Sequence, residues 1–264
     1  MSGGGRCDID EVTLEELKEN DGDRPFGGFV HKYVLSNRPV IVRGGAAAWP
    51  AMEKWKKASL AKSLGKHTCI VGPQPYPELF GLEARNVSVR EYMDSMNSLA
   101  AAANTTAVDY IFGSSVPEAL MMEFAKGVPI RKFKDKAGRP MQEPAVELFD
   151  GTPTFTPLSP QIFLGPAYTG SPIHYHGQAI NIQAYGRKRW FLYRPEDAMY
   201  RAVPVHQYLT EEWPDLPASK RPMECEQRAG DIIFVPSLWG HGVINLEESV
   251  GLALEFRHAW NMLQ

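Results

Sequence analysis

Short apolar stretches, separated by turn residues, dominate the second half of the chain. Strands are predicted at Gln161–Leu164, Ile173–His176, Ala179–Tyr185, Arg189–Tyr193, Met223–Gln227, Asp231–Val235, Gly242–Asn245 and Val250–Arg257. Gly186 and the pair Ala229-Gly230 are among the turn signals between them. Many short strands at such spacing are typical of a sandwich or barrel, so the pattern predicts a mainly β fold.

The first half of the chain mixes helical and strand-like patterns. Thr13 with Glu16 and Ser88 with Glu91 form capping boxes, which predict helices at Leu14–Lys18 and from Ser88 toward Ala100. Helices are also predicted at Phe29–Leu35 and Ala58–Leu64, and strands at Pro39–Val42, Thr68–Val71 and Asp109–Phe112. Residues 113–160 are rich in Pro, Gly and charge and predict short helices and loops, and residues 201–221 predict a surface excursion between two strands.

These patterns predict one structural unit with two parts. We expect residues 1–160 to form an N-terminal α/β extension that packs on a β-barrel core of residues 161–264. The 264 residues are ample for a substantial core.

Charge and hydropathy narrow the range of partners. The net charge of −3 argues against a general nucleic-acid binder. No apolar run approaches the length of a membrane-spanning helix, and the first ten residues lack the apolar core of a signal peptide. We therefore expect no membrane span and no nucleic-acid partner, and a cytoplasmic location unless a signal peptide has been removed.

The cysteines give little sign of a metal site. Cys7, Cys69 and Cys225 form no CxxC pair, which disfavours a thiolate zinc site. Composition favours buried free thiols, and one disulfide with one free thiol is the alternative. The sequons at Asn86 and Asn104 permit a secretory location without requiring it.

Two histidines one residue apart are the clearest candidate for chemistry. His174 and His176 lie on a predicted strand, where residues i and i+2 face the same side, so both imidazoles can reach one metal ion. His241 is the best third ligand because it follows a strand that ends in a Pro-Ser turn. The remaining histidines have no comparable context and are expected to face solvent or to be satisfied in the core: His31, His67, His206 and His258. Alone, an HxH pair is weak evidence for a metal site, and the more common role of such a pair is simply packing.

A lysine in an apolar strand adds a second candidate function. Lys188 lies between Tyr185-Gly186 and Trp190. An ammonium among barrel strands near a metal suits the far carboxylate of a dicarboxylate ligand. Ser171 and Asn181 could add hydrogen bonds to the same ligand.

Three segments resemble the JmjC family of cupin-fold, Fe(II)- and 2-oxoglutarate-dependent oxygenases. They are LGPAYTGSPIHYH, NIQAYGRKRWFLYRPED and GDIIFVPSLWGHGVINLEES. The resemblance implies a double-stranded β-helix, the jelly-roll or cupin barrel, with Fe(II) held by His174, His176 and His241. DYIFGSS resembles a family segment whose tyrosine binds 2-oxoglutarate. The residues implied for this co-substrate are Tyr110, Ser171, Asn181 and Lys188.

The chain departs from the family pattern at one ligand. His176 stands where the family has Asp or Glu, and no acidic residue occurs anywhere in Ser171–Tyr193. Three neutral imidazoles can hold zinc as well as iron, so zinc is a possible substitute.

The resemblance implies an oxygenase that consumes 2-oxoglutarate and O2 and hydroxylates an unknown protein side chain. Histone demethylation is disfavoured here because the chain has no room for a chromatin-reader domain. The alternative is a non-catalytic JmjC-like metal-binding module that acts through protein–protein interaction. A zinc hydrolase ranks last because no general base is evident near the three histidines.

The resemblance has two further implications. It pairs Cys7 with Cys225 in a disulfide, and it implies the lumen of the endoplasmic reticulum as the location. A disulfide requires an oxidising compartment of that kind.

Overall fold

The computed structural model describes residues 6–19, 27–75, 77, 81–102, 109–113, 122, 124–134, 138–144, 148, 155–157 and 160–258. Within these residues the fold is mainly β with flanking helices, which confirms the predicted fold class. The strands are β1 (Asp10–Val12), β2 (Val40–Val42), β3 (Thr68–Val71), β4 (Arg85–Ser88), β5 (Ile111–Gly113), β6 (Ile130–Lys134), β7 (Pro140–Pro144), β8 (Phe155–Pro157), β9 (Gln161–Gly165), β10 (Gly170–His174), β11 (Ala179–Tyr185), β12 (Arg187–Tyr193), β13 (Met223–Arg228), β14 (Ile232–Val235), β15 (Gly240–Asn245) and β16 (Ser249–His258).

Short helices surround the strands. They are α1 (Leu14–Glu19), α2 (Gly27–Phe29, continued by a π-helical turn at Val30–Val34), α3 (Ala51–Lys54), α4 (Lys57–Leu64), α5 (Val89–Ala102) and α6 (Val205–Gln207, continued by a π-helical turn at Tyr208–Glu212). Turns of 3-10 helix lie at Pro195–Asp197, Trp213–Asp215 and Ala218–Lys220. None of the helices in the described ranges is long and apolar enough to cross a membrane.

Two sheets build the jelly roll. The large sheet has the order β1-β2-β14-β11-β16-β9-β5, with β8 pairing to β16, and the small sheet has the order β10-β15-β12-β13. Side chains from β9, β11 and β16 meet side chains from β10, β12 and β15 around one pocket, so the two sheets face each other across it.

Strands from the N-terminal part extend the large sheet. β1 pairs in parallel with β2, β2 pairs antiparallel with β14, and β5 pairs antiparallel with β9. The outer face of the large sheet is covered by apolar residues of the N-terminal helices, among them Tyr33, Trp55 and Leu60. Alternation along β11 explains the two faces, because Ile182 and Ala184 join this outer core while Asn181 lines the pocket.

The first capping box forms as the sequence predicts, and Ser88 caps α5 through one of the two bonds of the second. The backbone N–H of Thr13 donates to Glu16 Oε2 at 2.7 Å, and the Glu16 N–H donates to Thr13 Oγ1 at 3.2 Å. The Glu91 N–H donates to Ser88 Oγ at 3.1 Å. These bonds satisfy backbone donors in the first turns of α1 and α5 and fix where the helices begin.

Three expectations about local structure need correction. Within residues 113–160, the described part contains the β6–β7 hairpin and the short strand β8, where we expected helices and loops. Several stretches of this range lie outside the described residues, as does Asn104. The strand expected to run to His176 ends at His174, after a register shift between Ser171 and His174.

The third correction concerns residues 201–221, which are more than a surface excursion. Val205 and Tyr208 are buried against Ile173 and Phe191, so this segment covers the outer face of the small sheet. The Tyr208 hydroxyl group also makes a buried hydrogen bond with that of Tyr193. The sequence pattern missed the packing because its apolar residues lie among prolines and charges.

A disulfide ties the N-terminus to the small sheet. Cys7 and Cys225 are bonded, their Cα atoms lie 3.9 Å apart, and 218 residues separate them in sequence. The pairing implied by the family resemblance is therefore confirmed. Cys69 is a buried free thiol.

Candidate functional site

One pocket between the two sheets brings together the residues singled out from the sequence. Its lining contains the three histidines and all four residues expected to bind the co-substrate: Tyr110, Ser171, His174, His176, Asn181, Lys188 and His241. They come from five different stretches of the chain, so the jelly-roll topology assembles the site.

His174, His176 and His241 form a compact cluster. One ring nitrogen from each lies within 4.8 Å of the others. The ring centroids of His174 and His241 are 4.3 Å apart, and those of His176 and His241 are 4.7 Å apart. Three imidazole nitrogens at such separations can close around one divalent ion.

Neighbouring backbone fixes the positions of these rings. His174 and His241 are register partners in the β10–β15 pair. His176 lies just beyond the end of β10, where its carbonyl accepts a hydrogen bond from the Leu238 N–H at 2.9 Å. The preceding carbonyl, that of Tyr175, accepts one from the Tyr200 hydroxyl group. His176 therefore reaches the cluster through a bend in the chain rather than through strand alternation.

Hydrogen bonds also select the tautomer of each imidazole. The Nδ1–H groups of His174, His176 and His241 donate to the backbone carbonyls of Pro172, Gly177 and Trp239, at 2.7, 2.7 and 2.9 Å. Because a carbonyl can only accept, each Nδ1 carries the proton and each Nε2 keeps its lone pair. Orienting bonds of this kind are the usual support of histidine metal ligands.

Burial keeps two of these rings neutral. Removal from water lowers the pKa of His174 to about 4, and the nearby His176 adds to the effect. Burial likewise holds the pKa of His241 well below its ordinary value. Both imidazoles are therefore unprotonated and available as ligands at neutral pH.

Lys188 is buried in the same pocket, on β12. Its side chain points inward, with Nζ 3.0 Å from the centroid of the Phe163 ring, and burial lowers the lysine pKa well below its ordinary value. Gly186 allows the tight turn that precedes it, because φ is +75° there and a Cβ would collide with the Glu248 carbonyl oxygen. Among the described residues, no carboxylate pairs with Lys188, so a ligand anion is the partner that would stabilise its charged form.

Hydroxyl and amide groups complete this end of the pocket. The Tyr110 hydroxyl group lies 3.3 Å from Ser171 Oγ, and both residues are buried. Asn181 Oδ1 is buried and has no hydrogen-bond partner among the described residues. Tyr110 reaches this place because it bridges to Gly72 just before β5.

Two polar residues of the pocket were not predicted from the sequence. Gln161 on β9 and Glu255 on β16 both line it, and Gln161 Nε2 donates to Glu255 Oε1 at 3.2 Å. Alternation along the predicted strand Val250–Arg257 places Ala253 and Glu255 on one face. It could not show which face is internal, because that depends on the pairing of β16 with β11 and β9.

The other histidines lie apart from the cluster. His31 is exposed in the π-helical turn after α2, and His67 is half-buried before β3. His206 contacts the Tyr168 ring, with centroids 6.3 Å apart. His258 ends β16.

The residues present fit a divalent metal ion and a dicarboxylate. Three imidazoles whose Nδ1 atoms are hydrogen-bonded to carbonyls present their Nε2 atoms as candidate ligands, within 4.8 Å of one another. The buried amine of Lys188 and the hydroxyl groups of Tyr110 and Ser171 offer hydrogen-bond donors to an anion beside it.

The family comparison agrees with this architecture. The model of the cupin-like domain matches residues 27–260. The chain belongs to this family, and its relatives place it among JmjC-type cupin-like proteins, which typically use Fe(II) and 2-oxoglutarate.

Three relatives illustrate the similarity. Arginine-specific demethylase JMJ22 of Arabidopsis thaliana is 28% identical over 256 residues, which are 89% of this chain and 45% of that protein. JmjC domain-containing protein 8 of Homo sapiens is 42% identical over 86 residues, 32% of this chain and 33% of its own length. Lysine-specific demethylase JMJ21 of Arabidopsis thaliana is 25% identical over 240 residues, 84% of this chain and 23% of that protein. The chain thus spans less than half the length of these relatives.

Proposed function

We propose that this protein is an Fe(II)- and 2-oxoglutarate-dependent oxygenase that hydroxylates a protein side chain. The observation that carries the proposal is the placement of His174, His176 and His241 in one pocket with Lys188. Bound iron with 2-oxoglutarate would supply the activation of O2, which no protein side chain provides.

The protein's own residues would bind and orient. The three Nε2 atoms would hold the metal on one side and leave its other positions open. Lys188 Nζ would donate to the far carboxylate of 2-oxoglutarate, with hydroxyl donors from Tyr110 and Ser171.

Apolar side chains in the pocket wall would exclude water from the reacting groups. Trp190 and Val243 line the pocket, and both are buried. A dry site strengthens the electrostatic contacts to the bound anion and protects reactive species from solvent.

The names of the relatives bear on the class of substrate. Two of the relatives are named as demethylases, one specific for arginine and one for lysine. Demethylation of this kind begins with hydroxylation of an N-methyl group. Hydroxylation of a C–H bond is therefore a step common to side-chain hydroxylation and demethylation. The names give no support to our expectation against demethylation.

A non-catalytic metal-binding module is the second candidate. The observation that favours it is His176, which replaces the carboxylate ligand of the family pattern. The metal would then stabilise the fold, and a partner protein would bind the surface. This module would bind divalent metal without consuming 2-oxoglutarate.

We also propose the lumen of the endoplasmic reticulum as the location. The Cys7–Cys225 disulfide supports an oxidising compartment, and the exposed sequon residue Asn86 is compatible with one.

Turnover of 2-oxoglutarate separates the two functions. Purified full-length protein would be incubated with Fe(II), ascorbate and 2-oxoglutarate under air, and succinate would be measured. The oxygenase produces succinate in air and none under nitrogen, and His241→Ala abolishes it, while His206→Ala, outside the cluster, serves as the control. Tight metal binding with no succinate above the His241→Ala level would instead establish the non-catalytic module.

A further inference from the structure

Glu255 occupies a distinctive place in the metal pocket. Of the described residues that line this pocket, it is the sole carboxylate. It faces inward from β16, opposite Ala179 on β11. Its described hydrogen-bond partner is neutral, the Gln161 side chain at 3.2 Å.

Among the described residues, no cation forms an ion pair with Glu255, and Lys188, which lines the same pocket, makes none with it. Such a carboxylate attracts a cationic ligand in the same pocket. Among the described residues, the pocket therefore has a carboxylate without a cation on β16 and an amine without an anion on β12.

The three-histidine ligand set gives the negative charge of Glu255 a role in charge balance. Three imidazoles leave both positive charges of a divalent ion uncompensated. A dicarboxylate dianion would cancel them, and the Lys188 ammonium would then leave the loaded pocket with one positive charge. One carboxylate restores neutrality, and His176 stands where a carboxylate ligand would otherwise supply it.

We infer that Glu255 is a positioning residue that supplies, from beside the ligand set, the negative charge that the three-histidine site lacks. The candidate ligand atoms within 4.8 Å of one another are the three imidazole nitrogens, so Glu255 acts as a neighbouring charge and not as a ligand. The negative charge of Glu255 attracts the metal cation and repels the anionic co-substrate. This inference rests on the proposed metal site.

Metal affinity tests the inference without reference to turnover. Mn(II), a redox-stable divalent probe, would be titrated calorimetrically into full-length, chelator-treated protein. Glu255→Gln keeps the size of the side chain and an acceptor for Gln161 while it removes the charge. We expect Mn(II) affinity to fall by about tenfold to a hundredfold, the range typical of residues that support a metal site from outside the ligand set.

The affinity for 2-oxoglutarate should change in the opposite direction to the Mn(II) affinity. With Mn(II) saturating, Glu255→Gln should bind 2-oxoglutarate about threefold more tightly or better, because a repelling charge has gone. A packing defect would weaken both ligands. Glu255→Asp should behave like the natural protein toward Mn(II), and so should Glu196→Gln, which changes an exposed carboxylate after β12.

The outcomes separate this inference from the proposed function. Unchanged Mn(II) affinity in Glu255→Gln, or equal weakening of both ligands, would overturn the role of Glu255. If His174→Ala binds Mn(II) as tightly as the natural protein, the metal site itself is refuted. If thermal unfolding shows that Glu255→Gln does not fold, Glu255→Asp and Glu255→Asn are compared instead. These two variants differ in the same way, by one negative charge at an almost constant side-chain size.

Discussion

His174 and His241 face each other across the β10–β15 pair, with ring centroids 4.3 Å apart. Sheet pairing alone therefore brings two candidate ligands together, although they are far apart in sequence. The third, His176, is placed by its carbonyl's hydrogen bond to the Leu238 N–H, three residues before His241. The turn that follows β14 thus supports two of the three histidines.

Replacing Lys188 by Met should have opposite effects on stability and on binding. Loss of a charge-assisted contact should weaken 2-oxoglutarate binding by about tenfold to a hundredfold. Without ligand, removal of a buried amine that lacks an anion should raise the free energy of unfolding by about 1–3 kcal/mol. Calorimetry and urea unfolding measure the two effects.

The control for this prediction is Lys62→Met, which changes an exposed lysine on α4. It should leave both quantities unchanged. Unaltered 2-oxoglutarate affinity in Lys188→Met would remove Lys188 from the binding site.

The metal-free protein should lose stability in mild acid because of His174. Its folded-state pKa of about 4 lies below the ordinary 6.5, so the unfolded chain binds the proton first as the pH falls. The contribution of His174 to the free energy of unfolding is fully present above pH 6.5. It is lost progressively down to pH 4 and amounts to about 3 kcal/mol in all.

Urea unfolding of the natural protein and of His174→Gln, both with chelator, isolates this effect from other titrating groups. The stability of the variant relative to the natural protein should improve as the pH falls from 6.5 to 4. A difference that stays constant with pH would show that His174 is not buried in its neutral form.

Alkylation should report the state of all three cysteines. Cys69 is buried, and burial raises its pKa to about 12, so the thiolate that reacts is scarce as well as shielded. We expect iodoacetamide to add no label to the folded protein and one label after denaturation without reductant. With reductant, it should add three labels, one for each cysteine.

Intact mass spectrometry counts these labels. Three labels on denatured protein without reductant would contradict the Cys7–Cys225 bond. Tryptic peptides that place the single label on Cys69 would complete the assignment.

The sequence predicted much of this architecture because local patterns specify local structure. Alternation and turn residues located the strands from Gln161 onward, and Thr13 with Glu16 located the start of α1. The same information could not reveal that Tyr208 is buried on the small sheet, because that packing depends on a partner, Phe191, from a different element.

The candidate site also combines residues that the sequence identified with one that only the tertiary structure reveals. The residues of the HxH segment and Lys188 were recognisable from their types and spacing, and the family resemblance supplied roles for Tyr110 and Asn181. Glu255 went unnoticed because no motif marks it. Its inward position follows from the pairing of β16 with its two neighbouring strands, which a single sequence does not contain.

A crystal structure with Mn(II) and 2-oxoglutarate tests the central claim most directly. The account predicts one metal ion bound by the Nε2 atoms of His174, His176 and His241 at about 2.1 Å, the usual distance for imidazole ligands. The 2-oxoglutarate should chelate that ion and direct its far carboxylate to Lys188 Nζ. Anomalous density for the metal at any other place, or a ligand carboxylate that does not contact Lys188, would contradict it.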